Sequence, residues 1–152
     1  MTKAEWIEVC GNELCAHRIE HFHPLEICDV GRISPQGNPL EAPPVCLIPN
    51  ALKLLEVLSY VRSASTTAPI LINSWYRDRL YNYDVGGVSS SVHIQLGAAD
   101  ITKVGYSPDE VADMAESHPD SDQFGIGRYP TFTHIDVRGM IGRDAPARWD
   151  RT

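Results

Sequence analysis

Apolar residues recur at helical spacing in two long stretches of the chain and in short strand-like runs elsewhere. Trp6, Cys10 and Leu14 share one face of a helix over Lys3 to about His17. Leu52, Leu55, Leu58 and Val61, with Leu54 and Val57 alongside, form a broad apolar surface, and Lys53, Glu56 and Ser63 mark the wet side. This pattern predicts a helix capped by Asn50 and running through about Ser63, the central core element. Ser107-Pro108-Asp109-Glu110 begins another helix, with a capping serine, proline first and glutamate third, and an expected end near Ser117. Pro69 to Asn73 reads as a buried strand and Gly97 to Thr102 as a second. Gly125-Ile126-Gly127 and Phe132 to Val137 supply the last strands.

Between these elements the pattern breaks. His21 to Pro49 is rich in proline and glycine, with Ser34-Pro35-Gln36-Gly37-Asn38-Pro39 as a turn cluster. A long ordered loop is expected there, with one short strand near Leu25 to Asp29. The tail after Gly139 reads as irregular. There is no internal repeat or low-complexity tract. The order of elements predicts a single α+β domain over 1–152, a small, mostly antiparallel sheet flanked by helices. Its parts are an N-terminal helix and loop (1–49), a core (50–140) and a tail (141–152).

At 152 residues such a domain buries roughly 70% of its unfolded surface. The net charge of −7 and the lack of any lysine-rich run argue against nucleic-acid binding, which needs clustered Lys and Arg. Acidity also disfavours unspecific adhesion to anionic surfaces, and no stretch approaches the roughly 18 apolar residues of a membrane span. The start Met1-Thr2-Lys3-Ala4-Glu5-Trp6 lacks the features of a signal peptide, so the expected site of synthesis is the cytoplasm, with any release to a cell wall needing another agent. Cys10, Cys15, Cys28 and Cys46 form no C-x-x-C pair, and free buried thiols are expected rather than disulfides or a structural zinc site.

Two segments carry candidate chemistry: Ser91-Val92-His93 running into Ala98-Ala99-Asp100, and Thr133-His134-Ile135-Asp136. They offer two imidazoles and two carboxylates, the ligand types zinc takes in hydrolytic sites, where a fourth position stays open for water. Gly97 argues against one helix carrying both His93 and Asp100. A loop His93 and a strand Asp100 can instead point into one cleft. On the predicted last strand, Phe132, His134 and Asp136 share a face. The bland alternative is a hydrogen-bonded core histidine, with Asp100 capping a helix or pairing with an arginine. His17, His21, His23 and His118 have no acidic partner in register.

Six ordered segments together resemble the zinc D-Ala-D-Ala carboxypeptidases. They are Ile72-Asn73-Ser74-Trp75-Tyr76-Arg77, Tyr81-Asn82 with Val85-Gly86-Gly87, Ser91-Val92-His93, Ala98-Ala99-Asp100-Ile101, Gly125-Ile126-Gly127-Arg128-Tyr129-Pro130, and His134-Ile135-Asp136-Val137-Arg138-Gly139. These peptidoglycan peptidases share their zinc architecture with lysostaphin-type endopeptidases and the hedgehog domain. The resemblance implies a hedgehog/DD-peptidase-like fold, a Zn2+ cofactor held by His93, Asp100 and His134, and substrate contacts from Arg77 and Ser91. Arg77 would clamp a terminal carboxylate or steady an oxyanion; otherwise it pairs at the surface with Asp78 or Asp84.

Two departures stand out. The family carries glycine three residues after the first histidine, where this chain has Leu96. Many relatives also carry an acid or histidine shortly before the last ligand, where this chain has Thr131 and Phe132. Asp136 is then the nearest carboxylate, either the catalytic base or a group holding a ligand histidine in its tautomer. The resulting expectation is zinc-dependent hydrolysis of a peptide bond in bacterial cell-wall stem peptides, as a D,D-carboxypeptidase or endopeptidase of phage-lysin type. Alternatives are a cytoplasmic D-Ala-D-Ala dipeptidase and a zinc-binding module without catalysis.

Overall fold

The computed structural model describes residues 1–152. Five strands form one sheet in the order β1-β2-β4-β3-β5: β1 Ile70–Ser74, β2 Ala98–Lys103, β3 Gly125–Arg128, β4 Thr133–Asp136 and β5 Ala147–Asp150. Every pairing is antiparallel except β3 with β5. The helices are α1 Lys3–Ala16, α2 Pro24–Ile27, α3 Ile48–Ser63, α4 Arg79–Asp84 and α5 Pro108–Glu116. The chain is α+β, as its periodicities predict. No helix is long and apolar enough to cross a membrane.

One face of the sheet is core. Ala99, Ile101, Ile126 and Ile135 alternate inward with Trp6, Leu54, Leu55, Leu58 and Phe124, all fully buried. Each buried Ile or Leu removed from water contributes roughly 1.5–3 kcal/mol of favourable transfer energy. The opposite face is left to the polar residues of the same strands, and the candidate site lies there.

Local chemistry explains the elements. Thr2 and Glu5 cap α1 reciprocally, and Ser107 and Glu110 do the same for α5. The central helix begins earlier than its sequence pattern predicts. A 3-10 turn, Val45–Leu47, leads into it, and Asn50 lies inside the first turn rather than at the cap. The Asn50 amide instead donates to the Gln95 carbonyl at 2.9 Å, tying α3 to the turn that carries His93.

Three expectations are corrected. The segment expected as a strand near Leu25 to Asp29 opens as the short helix α2, because Pro24 sets its first turn while His23 and Glu26 cap it. The tail expected to be irregular contains β5, which completes the sheet beside β3. Only Cys10 and Cys28 of the four free thiols are buried; Cys15 and Cys46 are exposed.

Candidate metal centre

One register line crosses all five strands. Ser74 of β1 pairs with Asp100 of β2, Asp100 with His134 of β4, His134 with Gly127 of β3, and Gly127 with Trp149 of β5. Directly opposed residues project to the same face roughly 5 Å apart, so strand pairing alone makes Asp100 and His134 neighbours. His93 arrives from outside the sheet, on a 3-10 turn Val92–Gln95 whose first amide groups are capped by Ser91. One ligand atom from each of His93, Asp100 and His134 lies within 4.8 Å of the others, and all three residues are buried.

The far side of each ring is committed. His93 Nδ1 donates to the Trp75 carbonyl at 2.5 Å, and His134 Nε2 donates to Asp136 Oδ2 at 2.7 Å. That leaves His93 Nε2 at 3.3 Å and His134 Nδ1 at 3.0 Å, both facing Asp100 Oδ1. Two imidazole lone pairs and a carboxylate oxygen thus converge, an arrangement that needs a proton or a cation among them. The donor set fits a divalent metal of zinc type: neutral imidazoles, one carboxylate, and outer partners that hold the tautomers.

Electrostatics follow the same geometry. Burial opposes ionisation of Asp100, but the adjoining His134 and His93 rings outweigh it and hold its carboxyl well below the usual range. Burial pushes His93 toward the neutral form, only partly offset by Asp100. Burial also works against a charge on His134, yet Asp100 and Asp136 on either side raise its proton affinity overall.

Arg77 pairs with neither Asp78 nor Asp84. Its Nη2 meets Asp100 Oδ2 at 3.0 Å while its Nε donates to Ser74 Oγ at 3.0 Å. Asp78 caps α4, and Asp84 accepts from Ser34 and Asn38. Arg77 thus fixes the Asp100 oxygen that faces away from the histidines, and it also lines the cleft beside the cluster.

Asp136 is enclosed. Its side chain has no exposure, and its oxygens are taken by His134, by Arg138 Nε at 2.9 Å and Nη2 at 2.7 Å, and by the Gly125 amide at 3.1 Å. Burial opposes its ionisation, but Arg138 and His134 overcome this and hold the carboxyl well below the usual range. It does not line the cleft. Glycine is required next to it, since a Cβ at Gly125 would stand 2.4 Å from Asp136 Oδ2.

The cleft encloses about 400 Å³, and the only carboxylate lining it is Asp100. Several of its wall residues escaped the sequence analysis. The Trp149 ring lies 5.0 Å from that of His134, and its indole nitrogen donates to Tyr129 at 2.9 Å. The signal for Trp149 was a four-residue alternation, Ala147-Arg148-Trp149-Asp150, too short to separate from coil. His21, His23 and His118 take no part in any such cluster; His23 caps α2, and His118 accepts from the Asp120 amide.

Residues 22–136 match the model of a protein family described as Peptidase M15. No curated protein matches the chain.

Proposed function

The chain belongs to the peptidase M15 family, and on that premise we propose that it hydrolyses a peptide bond in bacterial cell-wall stem peptides, with His93, Asp100 and His134 holding zinc. M15 peptidases are zinc-dependent metallopeptidases. The observation that carries the reading is the convergence of three potential ligand atoms beside an open cleft, each ring anchored from behind. Zinc bound there would polarise a substrate carbonyl and acidify bound water toward a pKa of about 7.

The protein's own groups supply positioning. Arg77, braced by Ser74 and Asp100, presents its guanidinium to the cleft, where it can receive a peptide carboxylate or a developing oxyanion. Ser91 caps the His93 turn and lines the cleft, so it orients the loop and can also meet substrate. Asp136 is assigned as a positioning residue for His134 rather than the base, since none of its oxygens reaches the cleft. Arg77 and Val85 also line a neighbouring cavity of about 360 Å³ bounded by Leu25 and Ile72. The N-terminal segment walls that second cavity and not the metal cleft, which supports a cut within a longer peptide over a dipeptidase action.

One observation favours a second reading. With Asp100 committed to three partners, the cleft holds no separate carboxylate to take a proton from water, a role worth typically 10²–10⁴ in rate. This supports a zinc-binding module with slow or lost hydrolysis. Zinc content by elemental analysis, followed by mass spectrometry of muropeptides after incubation with isolated peptidoglycan, separates the readings. The peptidase predicts bound zinc and new peptide termini, both lost in His93→Ala. Bound zinc without products on any wall preparation marks the module. No zinc, with melting unchanged by chelator, overturns both.

A further inference from the structure

The chain has 20 acidic and 13 basic residues, yet its cleft reverses that balance. Arg77, Arg138, Arg143 and Arg151 line it with Asp100 as the lone acid. Beyond Ser90, Ser91 and Arg143 it continues into a second hollow of about 280 Å³ that adds Arg79 and Ser89 and no acid at all. Two of the five guanidinium groups are already neutralised, Arg77 by Asp100 and Arg138 by Asp136. Arg79, Arg143 and Arg151 have no ion-pair partner. Arg143 is steadied by a neutral acceptor, Gln95 Oε1 at 3.2 Å, which positions its charge without cancelling it.

Resting on the peptidase reading of the same site, we propose that this trough is a carboxylate-recognition subsite. Arg143 and Arg151 of the cleft lining, with Arg79 in the adjoining hollow, select peptides that carry a free carboxylate away from the bond beside the metal cluster. Guanidinium groups bind carboxylates through paired N–H donors, and the hydroxyls of Ser89 and Ser90 complete a surface rich in donors. Acidic substrates would otherwise be repelled by a protein of net charge −7, so the trough also sets the direction of approach. Arg143 and Arg151 lie outside residues 22–136, in the C-terminal segment that β5 brings to the cleft. Selection is therefore supplied by a part of the chain separate from the ligand set.

The test uses the zinc-loaded full chain and two pentapeptides ending in D-Ala-D-Ala, one with a free internal carboxylate and one amidated there. Binding is read from tryptophan fluorescence within seconds of mixing. The free-carboxylate peptide is expected to bind at least about tenfold tighter, with the ratio shrinking as salt screens the exposed charges. The double variant Arg143→Gln, Arg151→Gln is expected to bring the ratio close to one while its melting curve stays at the wild-type position. Equal binding of the two peptides overturns the proposal. So does a ratio that survives in the double variant, or displacement of the acidic peptide by an equal concentration of inorganic phosphate, which marks a phosphate site instead. Discrimination without hydrolysis upholds the subsite while the peptidase reading fails, and hydrolysis of both peptides at equal affinity does the reverse.

Discussion

Leu96 stands where the related zinc carboxypeptidases carry glycine, and its backbone takes the conformation glycine would take, with φ 63°. A left-handed leucine costs roughly 1–2 kcal/mol, and complete burial of its side chain offsets that cost. Its carbonyl accepts from the Trp75 indole at 2.9 Å, and the Trp75 carbonyl in turn fixes His93. The leucine is thus accommodated in a glycine-like backbone within the turn between His93 and Asp100. The enclosure of Asp136 was not legible, because spacing shows that it shares a face with His134 but not that Arg138 folds back over it. Asp136→Asn is expected to lower zinc affinity by about 10- to 100-fold through loss of the anchor on His134, measured by competition with a chromogenic chelator. The thiols make a separate test. Burial, and to a lesser extent Glu13 beside Cys10 and Asp29 beside Cys28, pushes Cys10 and Cys28 up to about 12 from an ordinary value near 9. Only Cys15 and Cys46 are expected to alkylate quickly in the folded protein, with all four reacting in denaturant, as intact mass will show. Both folded and unfolded thiols are protonated well below pH 9, so stability is full there and falls as pH rises through about 9 toward 12, which alkaline melting curves will reveal.

Among the elements, those with their own local chemistry were readable and those held by tertiary contacts were not. The cap Ser107, Pro108 and Glu110 announce α5, and the apolar stripe announces α3. β5 carries only four residues and pairs in parallel with β3, so nothing local distinguishes it from coil. α4 is a short helix capped by Asp78 within a run whose polar and aromatic residues show no clear period. Lys103 at the end of β2 is another tertiary device. It is buried, and its ammonium reaches the Val61 and Ala64 carbonyls at the C-terminal end of α3, at 2.9 and 2.6 Å. Lys103→Met is expected to destabilise the fold by about 1–3 kcal/mol, since two carbonyls lose their donor, and urea denaturation will measure it. At Gly127 a Cβ would fall 2.3 Å from the Trp149 indole nitrogen. Gly127→Ala is expected to drive Trp149 off His134 and detach β5, with the change read from tryptophan emission and a lowered melting temperature.

For the molecule as a whole, the cluster of His93, Asp100 and His134 joins two strands of the sheet to a turn held against α3. A ligand that binds the folded chain alone stabilises it by about 2.7 kcal/mol at a free concentration 100 times its Kd. For a chain of this size that corresponds to a melting temperature roughly 5–10 °C higher with zinc than with chelator, and His93→Ala is expected to abolish the difference. The convergence of His93, Asp100 and His134 was legible because it follows the order of motifs along the chain. The charge of the cleft was not, because Arg79, Arg143 and Arg151 are brought together only by the fold. The line of residues across the sheet carries a last consequence. A slip of β4 by a single position would turn His134 into the hydrocarbon interior and present Ile135 in its place. A chain collapsed with that error would leave the cluster unassembled, so on the zinc reading proposed above, uptake of the ion during refolding becomes a clock for correct strand alignment, ticking only when the pairing is right.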